Sequence, residues 1–77
     1  MEVFIELIYF GQRSEILRKG NFPIEKYNKD LDMAAAEAAI HWIKQIKREH
    51  IVSRIIKVTY DKNHDITEII IAKLEEE

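Results

Sequence analysis

One stretch near the N-terminus restricts the possible fold more than any other. In residues 2–10 the alternate positions Val3, Ile5, Leu7 and Tyr9 are all apolar, and so are Phe4, Ile8 and Phe10 on the opposite parity. A period of two marks a β-strand, and a strand apolar on both faces belongs in the middle of a sheet rather than at its edge. The chain has 77 residues from which to supply neighbours and cover. One domain, 1–77, is therefore expected, with marginal stability, because a chain this short buries only ~60% of the surface it exposes when unfolded.

The segments that follow supply candidate neighbours. Gly11-Gln12-Arg13 has the length and composition of a hairpin turn, and residues 14–19 form a second strand with more charge. Charge is how a sheet edge resists mispairing. Gly20-Asn21 ends that strand, and residues 22–29 lack a period and contain the single proline, Pro23. They read as a connection pinned to the core by Phe22, Ile24 and Tyr27. Asp30 or Asp32 is placed to cap a helix over 31–49 by accepting a bond from a free backbone N–H. The alanine-rich run 34–39 has high helix propensity, and acids at the start with bases near the end suit the helix dipole. Leu31, Ala35, Ala39, Trp42, Ile43 and Ile46 fall on one broad face, and Glu37, His41, Lys44 and Arg48 on the other. Residues 52–60 and 65–74 are rich in isoleucine and valine and read as two more strands joined by a loop over 61–64. Glu75-Glu76-Glu77 reads as a frayed, solvated tail.

The expected fold is α+β with element order ββαββ. The first and last strands are the most apolar, so they are placed side by side and parallel in the centre, giving a four-stranded mixed sheet of order 2-1-4-3 with one helix on one face. In element order this resembles the β-grasp arrangement of ubiquitin-like and immunoglobulin-binding bacterial domains. The resemblance implies a fold and no particular function.

Cross-strand charges suggest a register: Glu6 opposite Arg18 and Leu7 opposite Leu17 in the first hairpin, Lys57 opposite Glu68 and Ile56 opposite Ile69 in the second. That register places Val3, Ile5, Leu7, Tyr9, Leu17, Ile56, Val58, Ile69 and Ile71 under the helix. Phe4, Ile8, Phe10, Ile16, Ile55, Ile66 and Ile70 are left on the other face. A single helix cannot cover both faces, and a contiguous apolar patch larger than a few hundred Å² marks an interaction surface. The function expected is that of a small non-enzymatic binding protein using this bare face. A second copy of the chain is the first partner to consider, since two-fold dimers are the commonest closed oligomers.

The alternative partner is nucleic acid. Lys44, Lys47, Arg48, Arg54 and Lys57, with His41 and His50 nearby, make a basic group around the helix C-terminus. The net charge of −2 gives no overall field to hold a polyanion, and basic residues at a helix C-terminus also serve the dipole alone. Catalytic signals are lacking. There is no phosphate loop, no GxGxxG and no HExxH, and only two glycines. The histidines, nine and fourteen residues apart, fall on different elements and do not converge as metal ligands. Ser14, Ser53, Thr59 and Thr67 have no diagnostic base beside them. Glu6 and Glu68 are better read as structural ion-pair partners than as a catalytic acid pair. No enzyme activity and no cofactor are expected. The apolar runs are far shorter than the ~20 residues that span a bilayer. With no cysteine and no basic leader at the start, a cytoplasmic location is expected.

Overall fold

The computed structural model describes residues 2–24 and 30–76. The elements are β1 (Glu2–Phe10), β2 (Glu15–Pro23), α1 (Leu31–Glu49), β3 (Arg54–Tyr60), β4 (His64–Asp65) and α2 (Thr67–Glu75). This is a small α+β protein whose four strands form one antiparallel sheet in the order β2-β1-β3-β4. The expected order 2-1-4-3, the parallel central pair and the single helix are all corrected. β1 does lie inside the sheet, but its inner neighbour is β3, and the β-grasp likeness in strand arrangement is not retained.

The largest correction concerns residues 65–74. Only His64–Asp65 pair as a strand, with Tyr60 and Thr59, and the chain then turns into α2. Apolar positions Ile66, Ile69, Ile70 and Leu74 recur at helical spacing, and this period prevails over the β-propensity of three successive isoleucines. The Asp65 carboxylate takes the Thr67 N–H at 2.8 Å, so one donor left free at the helix start is satisfied. Ile66 and Ile70 are almost fully buried. The expected pairs Lys57 with Glu68 and Ile56 with Ile69 do not form.

α1 runs over the expected residues. Asp30 is its N-cap, accepting from the Asp32 N–H at 3.0 Å. Its buried side is Ala34, Ala35, Ala36, Ala39, Ile40, Ile43 and Ile46, while Leu31 is exposed and Trp42 half-buried. Trp42 meets Phe22 with ring centroids 4.6 Å apart. Phe22 belongs to β2, which runs on through Gly20 and Asn21 to Pro23 instead of ending there. Of the three residues expected to pin the connection, Tyr27 lies outside the described residues.

The β1–β2 register differs from the expected one by a single residue. Glu6 faces Lys19, Leu7 faces Arg18, Ile8 faces Leu17 and Tyr9 faces Ile16. The turn contains four residues, closed by Gly11 N–H donating to the Ser14 carbonyl at 2.9 Å, where three were expected. A one-residue slip exchanges the two faces of a strand. Ile16 therefore points to the core and Leu17 to the opposite side, where it is 53% exposed. Between β1 and β3 the register shifts at Ile8/Tyr9, so that Ile8 faces Lys57 and Tyr9 faces Ile55, with Ile56 the extra residue of a bulge.

Val3, Ile5, Leu7 and Tyr9 of β1, Val58 and Tyr60 of β3, and Ile66 and Ile70 join the buried face of α1 in one core cluster. Both helices therefore pack on the same side of the sheet. Of the residues expected under the helix, Leu17 and Ile71 are exposed and Ile56 and Ile69 are half-buried.

Candidate interaction surface

The opposite side of the sheet is built from the alternate residues of three strands. Pairing places them in rows. Phe10 lies between Glu15 of β2 and Arg54 of β3, and Ile8 lies between Leu17 and Lys57. Glu6 lies between Lys19 and Thr59, and Phe4 is opposite Asn21. At the far end Asp61 continues β3 beside Phe4. Its N–H donates to the Phe4 carbonyl at 2.7 Å, and its carboxylate accepts the Phe4 N–H at 3.0 Å. Among the described residues, no segment of the chain contributes to a cluster on this side.

Ile8, Phe10 and Leu17 adjoin on this surface, and Glu6 with Lys19 separates them from Phe4. Phe4, Ile8 and Phe10 remain partly accessible, and Leu17 adds the most exposed apolar side chain of the group. The Arg54 guanidinium sits 5.9 Å from the centre of the Phe10 ring, within reach of a cation–π contact. Lys19 Nζ and Glu6 Oε2 are 4.0 Å apart with accessible side chains, an ion pair worth ~0–1 kcal/mol. Four acids, Glu2, Glu6, Glu15 and Asp61, face three bases, Lys19, Arg54 and Lys57, so the face is slightly acidic.

Of the seven interface residues expected from the sequence, Phe4, Ile8 and Phe10 share this face. Ile16 and Ile55 turn inward against the core, and Ile66 and Ile70 are core residues of the α2 region. The expected patch is thus smaller, and Leu17, Glu15 and Lys19 are members that the sequence reading placed elsewhere or passed over. A four-residue turn was the signal that would have found them.

The basic group is only partly gathered. Lys57 and Arg54 belong to the sheet face, Lys47 and Arg48 lie in the last turn of α1, Lys47 and Arg54 line one cleft, and Lys44 lines another groove with Lys73 and Glu76 of the α2 end. A separate cleft of about 520 Å³ lies between the end of β2 and α1, with Phe22 and Trp42 as its aromatic wall and Glu37, His41 and Gln45 at its rim. Among the described residues no three metal-ligating side chains gather, and no helix is long and apolar enough to cross a membrane.

No protein family, curated protein or solved structure matches the chain.

One further polar site lies at the hairpin end of β3. The Tyr60 hydroxyl donates to Asp32 Oδ1, tying β3 to the first turn of α1, and His64 stacks on the Tyr60 ring with centroids 4.7 Å apart. Loss of water around the phenol pushes its pKa from 10.0 up to about 12, helped by the bond to Asp32 and by the negative charges of Asp32, Asp30 and Asp61. A phenol held this firmly in its neutral form is a structural donor, not a proton shuttle at neutral pH.

Proposed function

We propose that this protein is a small binding module that works through the outer face of its sheet. The observation that carries the reading is the row Leu17–Ile8 beside Phe10, with Phe4 one row beyond Glu6, left partly accessible on three strands while both helices pack on the other side. Solvent-exposed apolar residues scattered singly need no explanation, but adjoining ones ringed by charge have the anatomy of an interface core and rim. The separation of Lys57, on the sheet face, from Lys44 and Arg48, on α1, favours this face over a nucleic-acid site at the α1 end.

The test replaces Leu17 with a photo-crosslinking phenylalanine derivative. Leu17 is chosen because its exposure lets it be changed without disturbing the core. The chain is irradiated in extract of its native cell, with Glu49 at the α1 end as the control position. A discrete protein adduct from position 17 and none from position 49 is the expected outcome. Adducts from position 49 alone, or from neither, would overturn the proposal.

A further inference from the structure

We propose that the free edge of β2 receives the β2 edge of a second copy of this chain, antiparallel and centred on Leu17, so that the two sheets become continuous. The inference stands independently of the binding-module reading above. The two edges of the sheet differ. On one side β3 is followed by the two residues of β4, and Thr67 Oγ1 accepts the Val58 N–H at 2.9 Å, so a side chain closes that edge at Val58. On the other side β2 is nine residues long, and among the described residues no strand pairs with its outer edge.

Hydrogen-bond alternation fixes which main-chain groups of β2 face outward. The Phe4 carbonyl and N–H bond to Asp61, and the Phe10 carbonyl accepts the Ser53 N–H. Even-numbered residues of β1 therefore turn their main-chain groups toward β3. Odd-numbered ones turn toward β2, as Gly11 does toward Ser14. Their partners across the hairpin are Ile16, Arg18, Gly20 and Phe22. In an antiparallel ladder the residues between these, Glu15, Leu17, Lys19 and Asn21, point N–H and C=O away from β1. A strand added to this edge must match its own outward residues to them.

Side-chain charge then chooses among the two-fold registers that keep this phase. Centring the pairing on Glu15, Arg18 or Lys19 puts like charges on the axis, and centring it on Ile16 or Gly20 forms no ion pair. Centred on Leu17, Glu15 faces the partner's Lys19 at both ends of the ladder, and Leu17 faces the partner's Leu17. Lys19 then lies between its own Glu6, 4.0 Å away, and the partner's Glu15. On the helix side Ile16 faces the partner's Arg18. The charges that guard the edge against other registers thus favour this one. Leu17, 53% exposed in one chain, gains an apolar neighbour. The row Lys57–Ile8–Leu17 continues into the same residues of the second copy, so each copy contributes to a shared outer face. Affinity comes from about six main-chain bonds rather than from a large footprint. The dimer therefore belongs to the weak, concentration-dependent class.

The experiment compares wild type with Glu15→Lys, Lys19→Glu and the double exchange, each shown to be folded by circular dichroism. Sedimentation equilibrium is run up to millimolar concentration. Each single reversal sets like charges opposite one another twice and should weaken self-association about tenfold. The double exchange sets Lys opposite Glu again and should recover most of that loss. Amide exchange of the wild-type chain reports the edge itself. The Leu17 and Lys19 N–H should exchange more slowly as concentration rises, while the Gln12 N–H in the turn does not change. A wild-type chain monomeric at millimolar concentration, a double exchange no stronger than the single reversals, or Leu17 exchange indifferent to concentration would each rule the join out. The crosslinker at position 17 keeps this result apart from the binding-module reading. An adduct of twice the chain mass belongs to the β2 join, and one with a different protein belongs to the outer face.

Discussion

Tyr60 shows how one side chain ties distant parts of a small protein together. Its ring is in the core, its hydroxyl reaches the first turn of α1 at Asp32, and its outer side is stacked by His64. Because burial and neighbouring carboxylates disfavour phenolate, the folded chain holds the Tyr60 proton more tightly than the unfolded chain does. The resulting stability is fully present below the unfolded pKa of 10.0 and is lost as pH rises toward about 12. Tyr60→Phe should destabilise the fold by about 1–3 kcal/mol at neutral pH, the scale of a hydrogen bond to a charged acceptor. In urea titrations its stability should fall less steeply than wild type between pH 10 and 12. Residue-scale chemistry also explains why the first hairpin register was ambiguous in the sequence. Ile16-Leu17 and Arg18-Lys19 are doublets of like character, so either register offers an apolar residue to the core and a base to Glu6. Charge pairing could not choose between them, and the four-residue turn did.

At the scale of elements, the junction of β3, β4 and α2 is where local propensity and tertiary context parted. Thr67 stands at that junction. Its Oγ1 accepts the Val58 N–H at 2.9 Å, so a side chain occupies an edge position where another strand residue would pair. The same hydroxyl lies 2.6 Å from Asp65 Oδ1, and it and the Thr67 N–H hold the Asp65 carboxyl below its ordinary value of 3.8. A lowered pKa contributes stability that is present above the unfolded value and is lost as pH falls through the folded one. Thr67→Val should remove about 1–3 kcal/mol by leaving the Val58 N–H without its acceptor. It should also make the acid limb of a stability–pH curve shallower than in wild type, measured by urea melts between neutral pH and pH 3. The helical period of Ile66, Ile69, Ile70 and Leu74 was readable in the sequence. It was masked by the isoleucine triplet 69–71, which also satisfies a strand pattern. By contrast α1 was readable throughout, because the Asp30 cap, the alanine run and a single wet face all agree.

At the scale of the whole molecule, β1, β3, α1 and the start of α2 contribute to one core cluster, with Phe22 and Trp42 packed against it. A single shared core gives a single cooperative transition. Far-UV circular dichroism, which follows the helices, and Trp42 fluorescence, which follows the contact of α1 with the β2 edge, should yield coincident urea curves. The slope expected for a domain of this size is about 1 kcal/mol/M. An earlier Trp42 transition would mean that the β2 edge opens independently of the core. The same one-sided construction leaves the opposite sheet face for association, because the second helix joined the first instead of crossing to the other side.

Local pattern was enough to make β1 an inner strand, residues 31–49 a helix, and Val3, Ile5, Leu7, Tyr9 and Val58 core-facing. These follow from periodicity and capping, which act within a few residues. The strand order, the choice of helix for α2, and which of Ile16 and Leu17 turns inward were settled by packing between elements. The physical reason is that neighbouring positions compete for the same core, and the outcome depends on the elements packed against them. The outer face is defined by that outcome: Phe4, Ile8 and Phe10 lie there by alternation along one strand, while Leu17, Glu15 and Arg54 join them through cross-strand pairing.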